Sequence, residues 1–259
     1  MKKIYLSLLV IIISESSLFA QFKYDFPQFG RETVDFIKQP AKWDGSDYLK
    51  IGLVGAGTFL LMETVDQPIR TAVLKDQRYY YSAPIVAGRI WGEIYSPIVL
   101  FSGFAAYSLL TNDPGTRKIA YEIGQASLYA GALSFVLKLV IGRSRPYLNQ
   151  GTHFFRPFSS FFNQDNKSMP SGHSTVAFIL STVLSRNAES PILKVLAYIP
   201  ALLTMISRVY QDHHWTSDTF AGAALGYFVG TWVVDHHEQS NSTVKITNSF
   251  PLTISIALN

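Results

Sequence analysis

Apolar residues come along this chain in six runs, 49–62, 94–110, 119–141, 175–184, 192–206 and 219–234, divided by polar or Gly/Pro-containing stretches. Each run is compatible with a helix, and the pattern predicts an all-α fold. Asn112-Asp113-Pro114-Gly115 marks a stop and a restart, with Asp113 placed to cap the next helix and Pro114 in its first turn. The stretch 168–172 opens a helix at His173, and Ser190-Pro191 opens the one after it. Ahead of the runs, 21–48 is broken by Pro27, Gly30, Pro40 and Gly45 and has room for one short helix, about 30–38. Behind them, 244–247 and 252–258 alternate apolar and polar residues, which predicts a small C-terminal β-hairpin or two edge strands.

Most of the runs are about 14 to 17 residues long and contain Gly, Ser and Thr, and only 119–141 is clearly longer. A bilayer span needs about 20 mostly apolar residues. The pattern therefore lies between a membrane bundle and a very apolar soluble one. The spacing of Gly226 and Gly230 suits close helix approach in either solvent.

The first twenty residues read differently. Lys2 and Lys3 precede a mostly apolar stretch, 4–13, then a polar patch, 14–17, and Ala20. This is the layout of a secretory signal peptide, too short to span comfortably; an uncleaved anchor helix is the alternative. Either reading takes the chain to or across a membrane. The expected division is a signal peptide at 1–20, an N-terminal extension at 21–47, a helical bundle at 48–236 and a tail at 237–259.

Composition removes several function classes. Charged residues are 15% and apolar residues 48%, which excludes a disordered, solvating chain. Cysteine is absent, so disulfides, thiolate zinc sites and cysteine nucleophiles are excluded. The net charge of +4 is too weak and too scattered to argue for nucleic acid.

Three clusters carry candidate chemistry. Lys138 lies inside an apolar run and is followed by Arg143 and Arg145-Pro146. A lysine buried near two arginines is costly unless an anion meets them, although helix-end decoration by basic residues is an equally good account of the triplet alone. Lys138 and Arg145 share a face if the helix continues through Gly142. The second cluster is Pro170-Ser171-Gly172-His173, a tight turn before an apolar helix, whose exposed N–H groups would cradle an anion within reach of His173. Ser171 as a plain helix cap is the bland alternative. The third is Ser207-Arg208 followed by His213, His214 and Asp218. His214 and Asp218 are four apart, so a carboxylate can orient that imidazole; His213 competes for the role on a poorer face. Together these supply three cations, a turn of N–H groups, two histidines and a carboxylate, a set suited to phosphoryl transfer. No carboxylate cluster has metal-ligand spacing, which favours a mechanism without metal or other cofactor.

In order and spacing the three blocks resemble the type 2 phosphatidic acid phosphatase superfamily, which includes the vanadium haloperoxidases. That signature is Lys-x6-Arg-Pro, Pro-Ser-Gly-His and Ser-Arg-x5-His-x3-Asp, matched here from Lys138 to Asp218. The resemblance implies a six-helix bundle. It implies that Lys138, Arg145 and Arg208 bind phosphate oxygens, with Ser171 and the Gly172 amide completing the cradle. It implies that His214 attacks phosphorus, Asp218 orients it, and His173 protonates the departing alcohol. Arg143, outside the signature, reads as an outer-shell residue. The implied activity is a metal-independent phosphatase of the cell envelope. Phe154, Phe155, Phe158, Phe161 and Phe162, between the first two blocks, suit a phosphorylated lipid, or else pack an ordered loop on the bundle. The alternatives are a soluble periplasmic acid phosphatase on small esters, a vanadium haloperoxidase, and a non-catalytic lipid-phosphate binder. The expected surroundings are the membrane, with the site facing the periplasm.

Overall fold

The computed structural model describes residues 24–159 and 165–239. The signal at 1–20 and the hairpin over 244–258 lie outside the described residues. Among those described, the regular elements are helical, with one isolated antiparallel bridge between Arg143 and Phe155. Residues up to Gly45 form one compact unit and those from Ser46 a second. In the first, helix α1 (Phe26–Lys38) starts earlier than expected, because Asp25 accepts a hydrogen bond from the Gln28 N–H at 2.7 Å and Pro27 fits the first turn.

In the second unit all six runs are helices, and there are further ones. Helix α2 (Gly45–Thr64) is followed by α3 (Asp66–Lys75), bent from it by 50°; α4 (Ala83–Trp91) is followed by α5 (Tyr95–Thr111), bent by 69°. The apolar pattern does not reveal α3 and α4, which are short and interrupted by polar residues. Helix α6 (Pro114–Ile141) starts as predicted, with Asp113 accepting from the Gly115 and Thr116 N–H groups at 3.3 and 2.9 Å. Helix α7 (Gly172–Asn187) follows. The run 192–206 is split into α8 (Pro191–Leu196) and α9 (Ile199–Tyr210). Pro200, in the first turn of α9, has no N–H to continue a ladder and its ring would strike the preceding turn. Helix α10 (Thr216–Gln239) extends past the polar switch at Asp235. Its charges are paired across the bundle: Arg186 with Asp235 and, at 3.1 Å, with Glu238, and His237 Nδ1 3.1 Å from Glu122.

Helices α6, α7 and α10 pack together at the centre, with α5 against α6, and α4 and α7 against α9. The interior mixes Ile123, Ala126, Ala130, Leu180, Val183 and Val233 with Ser134, Ser174, Thr175, Ser181, Thr182 and Thr204, all buried. Close contact is set by small residues. A Cβ added at Gly222 would lie 2.3 Å from the Ser171 carbonyl oxygen, and one at Gly226 2.3 Å from that of Thr175. Large apolar side chains point outward instead: Leu53 and Phe59 on α2, Ile98 and Leu110 on α5, Val136 and Val140 on α6, and Val195 and Leu202 on α8 and α9 are exposed. This is the arrangement of a membrane protein, in which small and hydroxylated residues meet between helices while apolar ones face lipid. Among the described residues, α6 and the stretch Pro191–Tyr210 are long and apolar enough to cross a membrane, and each bent pair adds one more if it forms a single span. Gly222, Gly226 and Gly230, with buried Ser and Thr residues of α7, thus belong to helix–helix contacts.

The contact of α10 with α7 is tested by Gly226→Ala. In detergent, the variant unfolds at a lower temperature than the parent, with a loss of about 1–3 kcal/mol. Gly131→Ala, at an exposed helical position with open space around it, does not lower the midpoint.

Candidate active site

The first cluster is built by the end of α6. The helix stops at Gly142, at φ +63°, so Arg145 does not lie on the helical face of Lys138 as a continuous helix would require. A Cβ at Gly142 would lie 2.0 Å from the Arg156 carbonyl oxygen, so both the conformation and the space demand glycine. The turn sends Arg143 inward, fully buried, while Arg145 remains part-exposed with Nη1 3.5 Å from the His213 carbonyl oxygen. Lys138 Nζ donates to the carbonyls of Lys167 and Pro170 at 2.7 and 2.5 Å, which fixes the ammonium beside the second cluster.

That cluster opens α7. Ser171 caps the helix, its Oγ accepting from the Ser174 N–H at 3.4 Å, and its own N–H donates to the Asp218 carbonyl at 2.9 Å. The bland account of the Ser171 hydroxyl therefore holds alongside the cradle. The N–H groups of Gly172 and His173 are among those that a helix start leaves without intrahelical acceptors. The His173 ring centroid is 6.5 Å from that of His214.

The third cluster comes from the end of α9 and the start of α10. Arg208 donates from Nη1 to Gln211 Oε1 at 2.9 Å, and its carbonyl accepts from the N–H groups of His213 and His214 at 3.1 and 3.3 Å. Arg208 Nε and His173 Nε2 are buried and make no hydrogen bond among the described residues, although Glu93 Oε1 stands at ion-pair distance from His173 Nε2, 3.3 Å away. His214 is buried, with Nδ1 3.7 Å from Asp218 Oδ2 and 3.5 Å from Ser168 Oγ. The histidine–aspartate approach is an ion-pair distance, too long for a hydrogen bond. Ser168 stands beside both and donates to Asp218 Oδ2 at 2.5 Å. Burial, then the charges of Arg145, Lys138 and Arg208 and the neighbouring His173, push the His214 pKa well below its usual value. At neutral pH it is an uncharged imidazole. His213, the competitor, is half-buried and edge-on to Tyr147. Lys138, Arg145, Ser171, Gly172, His173, Arg208, His214 and Asp218 thus converge on one place.

The support beneath them was less visible in the sequence. Arg143 Nη1 meets Asp218 Oδ1 at 2.6 Å and its Nη2 meets Asp66 Oδ2 at 2.8 Å, with all three side chains at 0% exposure. Asp66 also accepts from the Ser217 N–H at 2.8 Å and from Ser217 Oγ at 2.5 Å. Trp215 donates its N–H to Asp218 Oδ2 at 2.9 Å and lies under the Arg143 guanidinium at 5.4 Å. Sequence reasoning placed Arg143 outside the cradle, as found, but missed Asp66, Ser168 and Ser217. Nothing in the local sequence singles out Asp66, since Glu63 lies between it and the apolar run 49–62. Of the aromatic patch, Phe155 and Phe158 are exposed, and Phe161 and Phe162 lie outside the described residues.

Removing one partner of the buried cluster leaves a buried charge uncompensated. Arg143→Ala should destabilise the protein by about 3–5 kcal/mol. Thermal or denaturant unfolding in detergent measures this.

Residues 122–242, which contain all three blocks, match the PAP2 superfamily. A lipid A 1-phosphatase of Rhizobium etli is 28% identical over 197 residues, covering 72% of this chain and 82% of that protein. A lipid A 1-phosphatase of Porphyromonas gingivalis is 41% identical over 73 residues, which is 26% of this chain but 16% of that longer protein. The fold is similar to the crystal structure of a transmembrane PAP2-type phosphatidylglycerolphosphate phosphatase from Bacillus subtilis. The TM-score is 0.51 at 20% identity, covering 73% of this chain and 96% of that one.

Proposed function

We propose that this chain, whose residues 122–242 match the PAP2 superfamily, is a phosphatase of the cell envelope that hydrolyses phosphorylated lipids through a phosphohistidine. The observation that carries the reading is the buried, uncharged His214 facing three cations and the first turn of α7. A phosphate group in the cradle meets Lys138, Arg145 and Arg208, with the N–H groups of the turn adding donors. His214 Nδ1 faces Ser168 and Asp218, which leaves Nε2 for attack. As the bond from Nε2 to phosphorus forms, the bond to the lipid oxygen breaks and its electron pair stays on that oxygen. His173 supplies the proton. Water then attacks phosphorus, gives a proton back to His173, and frees phosphate and His214. Asp218 stabilises the positive charge that His214 acquires on attack.

A lipid substrate is supported by the apolar faces that surround the bundle and by the activity for which the R. etli and P. gingivalis relatives are named. The proposed site faces the periplasmic side of the membrane.

His214→Ala should reduce turnover to background with an unchanged unfolding midpoint; retained activity refutes the assignment. Orthovanadate should compete with substrate as a trigonal mimic of phosphate in transfer, and chelators should leave the rate unchanged. Hydrolysis of a lipid phosphate in mixed micelles should exceed that of a small soluble ester at equal concentration. The reverse order would point to an acid phosphatase of small esters.

A further inference from the structure

Glu93 belongs to none of the three motif blocks, yet its Oε1 lies 3.3 Å from His173 Nε2. It sits in the turn between α4 and α5, and the turn is fixed. The Glu93 N–H donates to the Ile90 carbonyl at 3.1 Å, the Ser96 N–H to the Glu93 carbonyl at 3.0 Å, and Ser96 Oγ to the Ile90 carbonyl at 2.5 Å. The preceding residue brings the turn against α7. A Cβ on Gly92 would lie 2.5 Å from Thr204 Cγ2 and 2.8 Å from the His173 carbonyl oxygen, so a larger residue would push Glu93 away from the imidazole.

The surroundings of His173 give this contact a purpose. Lys138 and Arg145 face the cradle from α6 and the turn after it, Arg208 from α9, and the His214 ring from the loop before α10. Burial, and then the charges of Arg208 and Arg145, disfavour a protonated His173. A leaving-group acid must nevertheless hold a proton when chemistry begins. Glu93 is the carboxylate that opposes them at His173. The His173 and Glu93 side chains are 26% and 29% exposed, against 2% and 0% for His214 and Asp218, so this side of the site can exchange protons with water.

We infer that Glu93 is a positioning residue for the acid step: its carboxylate orients the His173 imidazole and favours its protonated form, so that His173 can protonate the departing lipid oxygen. The inference rests on the phosphatase reading, and its test separates the two. With an alkyl phosphate, Glu93→Gln should lower kcat about tenfold or more while KM changes little. With p-nitrophenyl phosphate, whose leaving group needs little protonation, the loss should be several-fold smaller. The alkaline limb of the kcat profile should move to lower pH, because the acid loses its proton earlier, and Glu93→Asp should restore part of both effects. Equal losses on the two substrates with an unmoved limb, or a change confined to KM, would overturn the inference. A second readout does not need turnover. In histidine-labelled protein in micelles, the His173 resonance, assigned by its loss in His173→Asn, should titrate at a lower pH in Glu93→Gln than in the parent. An unchanged midpoint also overturns the inference. A wild-type chain without phosphatase activity counts against the functional reading instead, and the midpoint still decides the Glu93 contact.

Discussion

The site depends on a buried arginine shared by two buried aspartates. Arg143, Asp66 and Asp218 come from the turn after α6 and from the first residues of α3 and α10, and none of their side chains touches solvent. Taking three charges out of water costs more than their mutual attraction returns unless every remaining donor and acceptor is met. Here they are met: Ser217, Ser168, the Trp215 N–H and the Thr152 carbonyl complete the set. The cluster specifies geometry more than stability. It ties the loop that carries Arg145 to the helix that carries Asp218, and so fixes the cation side of the cradle against the histidine side.

A second constraint comes from the inverted distribution of residue types. In a soluble bundle large apolar residues dominate the centre; here Gly, Ala, Ser and Thr share it with Ile123, Leu180, Val183 and Val233, and many large apolar residues face outward. Helices that meet through Gly222 and Gly226 approach closely enough for the Ser171 N–H to bond the Asp218 carbonyl. The start of α7 and the start of α10 are therefore held together by backbone as well as by side chains. The small residues that allow the membrane packing also bring the anion-binding turn to the histidine.

This explains what could and could not be read from the sequence. The six long runs announce themselves by apolar content, and Asp113 and Ser171 announce their helix starts by capping chemistry. The motif blocks locate Lys138, His173, His214 and Asp218 because a catalytic group needs a fixed spacing within one turn. Helices α3 and α4 escape the apolar pattern because they are short and carry charged residues among their apolar ones. Asp66 and Glu93 escape for a different reason. Each acts on a partner far away in the chain, Arg143 and His173, so no local spacing betrays it. The break at Gly142 also mattered. A helical reading of Lys138 and Arg145 put them on one face, whereas the left-handed glycine delivers Arg145 by a turn.

The two histidines live in different solvents within one site. His214 is sealed, uncharged and backed by an aspartate that is itself locked by Arg143. The proposed nucleophile benefits from this, because a desolvated imidazole whose Nδ1 faces Ser168 and Asp218 has little reorganisation to undergo before attack. His173 stands at the wetter edge with Glu93, where a leaving oxygen must depart and water must enter. Burial, and then the charges of Arg145 and Arg208, favour the neutral form of both rings. For the nucleophile that is an advantage and needs no correction. For the proposed acid it is a handicap, which the Glu93 carboxylate opposes without reversing. In the proposed mechanism, the difference in exposure between the two imidazoles suits His214 to attack and His173 to proton transfer.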